Sequence, residues 1–113
     1  VDAVVVLDTK IAGRLRVSVI SEIELLSHDG LDESAESAIR AFLSMVEVVG
    51  LDPPIKEAAI ALRREFGLTI PDAVIAATAA TLNAELLSND AKLANTPRLR
   101  SRPLPLREPS NPR

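Results

Sequence analysis

No cysteine occurs in the 113 residues, so neither a disulfide framework nor a thiolate metal site can be built. Tryptophan and tyrosine are missing too, and the aromatic inventory is Phe42 and Phe66, both at spacings that suit a core. A surface that stacks nucleobases on aromatic rings is therefore not expected. The single histidine, His28, stands in the polar turn SHDG and reads as a surface residue rather than a catalyst. The longest apolar stretch, Ala73 to Leu82, includes threonine and falls well short of the roughly 20 residues that span a bilayer. Nothing at the amino terminus reads as a signal peptide. By elimination, a cytoplasmic location without a membrane partner is expected.

What is present is ordinary for a globular domain: 47% hydrophobic and 26% charged residues. The length suits one domain with a real core and is too short for two. The net charge of −3 hides an asymmetry. Arg98 to Arg113 holds five arginines and one acid, a local balance of +4, so the remainder sums to −7. That end also carries Pro103, Pro105, Pro109 and Pro112, which favours an extended chain. Residues 1–106 are expected to form the domain and 107–113 a basic, proline-rich tail. Such a tail could meet phosphates, or simply be a solvated end.

Along the chain, LRVSVI (Leu15 to Ile20) alternates apolar and polar residues as a strand does and leads into SEIELLS, the opening of a helix. Asp32 to Val46 carries Ala35, Ala38, Ile39, Phe42 and Val46 at helical spacing, and VEVVG follows as a short β-like run. DPP opens another helix, with prolines tolerated in its first turn and Gly67 placed to end it. Next comes LTIPDAVIAATAATLNAELLSND, Leu68 to Asp90. Thr69 is the expected N-cap, Ala73 to Leu82 an alanine-rich helix, AELL a buried strand, and Asp90 to Ala94 the start of a further helix. Strands alternating with helices predict an α/β domain with a central, mostly parallel sheet.

Three acids fall at strand–helix junctions of that scheme. Glu24 follows the first strand, Asp72 begins the helix before the second, and Asp90 follows the second. In a parallel sheet these junctions share one edge, so carboxylates distant in sequence can converge there. Carboxylates without cysteine or histidine suit hard ions such as Mg²⁺, which can activate water and neutralise charge on a phosphoryl oxygen. Each acid also has a structural reading. Ser21 to Glu24 spells the capping box S-x-x-E. Asp72 suits the positive end of a helix dipole, and Asp90 could cap a helix or shape a turn. With no aromatic platform, RNA would be held through its phosphates, and Arg14, Arg16 and the tail arginines are the candidates.

The strings VSVISEIELLS, GLTIPDAVIAATA and LLSND, in that order, resemble a PIN domain, in particular the VapC-like toxins of VapBC-type toxin–antitoxin pairs. The resemblance spans about Leu15 to Leu106. It implies a three-layer α/β/α fold and a Mg²⁺- or Mn²⁺-dependent endoribonuclease that hydrolyses RNA phosphodiester bonds. Glu24 matches the family's helix-start glutamate, Asp72 its helix aspartate, Asp90 the aspartate after the later strand, and Ser88 the small hydroxyl residue before it. By this match Asp72 and Asp90 share the metal, Glu24 helps hold the ion or its water, and Ser88 orients the site. The implied partners are RNA, a cognate VapB-like antitoxin, and a second copy in a homodimer.

The family's first acid ends its first strand, followed by Asp-Thr-Asn or similar. Here VVVLDTK offers Asp8, a catalytic and metal-binding candidate, with Lys10 where asparagine is usual. If Val4 to Leu7 were a strand parallel to the one starting at Leu15, only Asp8 to Arg14 would join them. A parallel crossover needs about a dozen residues or more. Three arrangements stay open: a first strand and helix missing, with AVVVLDTKIAG matching a later helix; Asp2 as the remnant of the acid; or an antiparallel hairpin or exchanged strand. An abnormal amino-terminal region also leaves a second function open, a catalytically impaired PIN-like module acting through protein binding or dimerisation.

Overall fold

The computed structural model describes residues 5–8, 14–87, 96 and 101–102. The elements are β1 (Val5–Asp8), β2 (Arg14–Ser18), α1 (Val19–Leu26), α2 (Glu33–Leu43), β3 (Glu47–Val49), α3 (Pro53–Phe66), α4 (Ile70–Thr81), β4 (Glu85–Leu87) and β5 (Ser101–Arg102). The helix expected from Asp90 lies outside the described residues.

The helix starts follow from local chemistry. Asp32, Asp52 and Thr69 each cap a helix by accepting a backbone N–H three residues on, from Ala35 (2.7 Å), Ile55 (3.1 Å) and Asp72 (3.3 Å). Prolines occupy the first turns of α3 and α4, where no intrahelical donor is lost. Gly67 ends α3 in the left-handed conformation, φ 66°, with its N–H on the Arg63 carbonyl.

One start differs from expectation. α1 begins at Val19, because Ser18 is the N-cap and accepts from the Ile20 N–H at 3.1 Å. Ser21 therefore sits inside the helix, 3% exposed, and the capping box with Glu24 does not form. The cause is where β2 ends: Ser18 still pairs with Val49 of β3, so the chain turns into the helix at that residue.

The strands form one sheet in the order β3-β2-β1-β4-β5. β2 and β3 are parallel, as are β4 and β5, whereas β1 is antiparallel to both β2 and β4. Four strands thus share a direction and the expected mostly parallel sheet is present, with one reversed strand in its middle. Of the arrangements left open by the sequence, β1 and β2 adopt the antiparallel one, Asp8 opposite Arg14 and Val6 opposite Arg16. Residues 9–13 can close a hairpin but not a parallel crossover.

The core lies between α3, α4 and the sheet: Ile55, Ala59 and Leu62, then Leu68, then Ala73 to Ala79 of α4, then Ala84 and Leu86. α4 is buried almost all round, which its alanines permit by letting α3 come close. Phe66 packs against this cluster and Phe42 is half-buried, as their spacing suggested. Ala76 is fully buried, so Ala76→Leu forces a larger side chain into a filled space and is expected to cost about 1–3 kcal/mol. A fall in the urea midpoint at constant m-value reports it.

Candidate active site at the carboxyl edge of the parallel strands

The inner faces of α1 and α4 meet, since the two helices pack on each other and both touch β2. On a helix, residues three and four apart share a face. Glu24 shares its face with Ile20, which packs on the core, and with buried Ser21, whereas Ile23 beside it is 56% exposed. Asp72 likewise heads the face of Ile75 and Ala76, 1% and 0% exposed. Both acids are half-buried, so each continues an inward stripe instead of standing in open solvent. Glu22, which matches none of the family's acids, lies in the first turn of α1.

With no capping box at Ser21, Glu24 does not serve as the capping acid of α1. Asp72 keeps its structural reading: as the acid of the first turn of α4 it gains about 0.3–1 kcal/mol from the helix dipole. Its backbone N–H is held by the Thr69 hydroxyl, so its place in the turn is fixed by the cap.

The topology treats Asp8 differently. β2 and β4 deliver their last residues to one edge of the sheet, but reversed β1 delivers its last residue to the other. Asp8 pairs with Arg14, the first residue of β2, and the neighbouring Leu7 pairs with Glu85, the first of β4. At about 3.3 Å per residue, the four steps from Arg14 to Ser18 separate the two edges by roughly 13 Å. Asp8 is thus not brought together with Glu24 and Asp72. Asp2, Ser88 and Asp90 lie outside the described residues; β4 runs to Leu87 at the carboxyl edge, three positions before Asp90 in the chain.

Of the candidate RNA contacts, Arg16 is committed elsewhere. Its Nε lies 2.9 Å from Oε1 of Glu47, the residue opposite it in the β2–β3 register, and its side chain is only 16% exposed. It is a cross-strand ion pair and not an open phosphate contact. Arg14 stands at the start of β2, and its side chain is outside the described set. His28 is exposed, as the sequence suggested.

Among the described residues, no three histidines, cysteines, aspartates or glutamates gather into a metal-holding group. Two carboxylates on facing helices remain. Mg²⁺ is ordinarily held by one or two carboxylates, with waters and substrate phosphates completing the shell. Glu24 and Asp72 fit that donor chemistry. Among the described residues no helix is long and apolar enough to cross a membrane.

An open α/β domain belongs to a class in which ligands bind at the carboxyl edge of the parallel strands. The chain belongs to the PIN-domain family, whose model matches residues 2–99. PIN domains are generally nucleases, served by divalent metals. Two solved structures show the same fold. A chain of a toxin–antitoxin complex from Klebsiella pneumoniae is 29% identical, TM-score 0.65, with 74% of this chain and 70% of that chain covered. A chain of VapBC2 from Rickettsia felis, solved bound to a DNA fragment from its promoter, is 29% identical with TM-score 0.66, covering 78% of this chain and 73% of that one. No curated protein sequence matches significantly.

Sequence reasoning missed two residues that shape this region. Arg63 donates from Nε to the Leu68 carbonyl at 3.0 Å. Its position in the last turn before a helix-ending glycine was the available signal, since cations there often satisfy terminal carbonyls. Glu47 had no signal, because its pairing with Arg16 depends on strand register.

Proposed function

We propose that the protein is a metal-dependent endoribonuclease, the toxin of a VapBC-type pair, acting in the cytoplasm as a homodimer until a cognate antitoxin blocks it. The observation that carries this reading is the pair Glu24 and Asp72, on the meeting inner faces of α1 and α4, in a chain of the PIN family. Glu24 and Asp72 would hold Mg²⁺ or Mn²⁺, which would supply an activated water and neutralise developing charge on the phosphate. Asp72 and Glu24 provide hard oxygen donors. By the family match Asp90 is a further metal-binding acid and Ser88 orients the site; both lie outside the described residues. RNA is held by its phosphates, through Arg14 and the tail arginines, because the two phenylalanines are half-buried and offer no stacking platform.

An antitoxin partner is supported by the two toxin–antitoxin complexes to which the chain is similar. Exposed apolar surface supports it too: Leu51, Ile60 and Ile70 surround a cavity of about 230 Å³ between α3 and α4.

Purified protein with Mn²⁺ or Mg²⁺ is expected to cleave RNA, to stop on chelation with EDTA, and to resume when metal is restored. RNA left intact under every metal condition would end the nuclease reading.

One observation favours a second reading, a PIN-like module that acts by binding protein. The reversed β1 carries Asp8 away from the rim, which leaves the described part of the site with two acids. Such a module would bind the antitoxin while showing no carboxylate-dependent uptake of Mn²⁺.

A further inference from the structure

Between α3 and α4 the chain has only Gly67, Leu68 and Thr69 in which to reverse direction. One residue is bonded to this turn twice. The Arg63 backbone carbonyl accepts the Gly67 N–H at 2.9 Å, and the Arg63 side chain donates from Nε to the Leu68 carbonyl at 3.0 Å. Arg63 also lines the α3–α4 cavity with Ile60, Ile70 and Val74, and its Nε reaches forward past the end of α3 to the Leu68 carbonyl. A cation in the last turn of α3 is also favoured by that helix's dipole.

Asp72 follows this clamp by four residues in the chain. Leu68 is 1% exposed and anchors the turn in the core. Thr69, the next residue, accepts the Asp72 N–H on its hydroxyl and the Ala73 N–H on its carbonyl, at 3.3 and 2.8 Å. The entry angle of α4, and with it the direction of the Asp72 carboxylate, is therefore set by where the Leu68–Thr69 peptide lies. We propose that Arg63 is a positioning residue for Asp72: its hydrogen bond to the Leu68 carbonyl fixes the α3–α4 turn, and the turn aims the carboxylate. The functional consequence rests on the metal-site reading of Glu24 and Asp72; the mechanical part does not.

Arg63→Met keeps the stem and removes the donor, and Arg63→Lys restores a donor and the charge. Two readouts on the full chain separate the possibilities. Hydrogen exchange by NMR is expected to speed up about 10-fold at the Asp72 and Ala73 amides in the Met variant, with the Thr78 and Ala79 amides unchanged and the Lys variant partly restored. Mn²⁺ titration is expected to show affinity about 10-fold weaker in the Met variant, again partly rescued by Lys, the scale of losing an outer-shell support. Unchanged exchange at Asp72 and Ala73 in Arg63→Met overturns the proposal, as does exchange raised uniformly along α4. If wild-type protein binds no Mn²⁺, the metal-site reading fails on that result, while the exchange data still decide whether Arg63 sets the turn. If wild type binds Mn²⁺ and the Met variant binds it equally well, Arg63 only stabilises the fold.

Discussion

Asp72→Asn is expected to lower the rate of metal-dependent RNA cleavage by about 100-fold or more while leaving the protein folded. The substitution is nearly isosteric and touches neither half of the Thr69 cap, because the bonded group is the backbone N–H of residue 72. The lost helix-dipole interaction costs about 0.3–1 kcal/mol. The functional cost is larger. A metal-centred Lewis acid supplies several kcal/mol of transition-state stabilisation, and each 1.36 kcal/mol or so is a factor of ten in rate. Cleavage rates at saturating Mn²⁺, set beside urea midpoints, separate the two effects. A variant that cuts as fast as wild type would remove Asp72 from the chemistry.

Glu24→Gln is the second large effect, about 10- to 100-fold in rate together with weaker Mn²⁺ binding. Its value lies in the contrast with two neighbouring acids. Glu22 is two residues away in the same helix but does not share the stripe of Ile20 and Ser21. Asp8 stands at the opposite edge of the sheet. Glu22→Gln and Asp8→Asn are expected to change the rate by less than about twofold, because neither shares the helix face or the sheet edge of the proposed site. Equal losses from Glu22→Gln and Glu24→Gln would mean that general acidity near α1 matters, not one placed carboxylate. A large loss from Asp8→Asn would contradict the reversed strand.

Much of the fold could be read from residues because its signals are local. Thr69, Asp52 and Gly67 mark helix ends through their own backbone chemistry, and the apolar spacing of α3 predicts its buried stripe. The direction of β1 is a different matter. Alternation with period two is identical for a strand run either way, so VVLD fits both, and only the short connection of residues 9–13 favoured reversal. Ser21–Glu24 misled for a related reason. A second serine, Ser18, stands three positions earlier, and which one caps α1 depends on how far β2 pairs with β3, a non-local fact. Arg16 was free to be an RNA contact until strand register put Glu47 beside it.

Of the proposed site, Glu24 and Asp72 were named from family strings and spacing, and the structure places both, half-buried, on helices that pack together. Arg63 was not, because its role depends on a carbonyl in the turn after α3.

The direct measurement is Mn²⁺ titration of wild type, Glu24→Gln, Asp72→Asn and the double variant, by calorimetry or water-proton relaxation. If one cation lies between the two side chains, each single change removes most of the affinity and the second removes little more, since coupled groups are not additive. Independent, additive losses, or uptake that ignores both substitutions, would show that α1 and α4 do not share an ion.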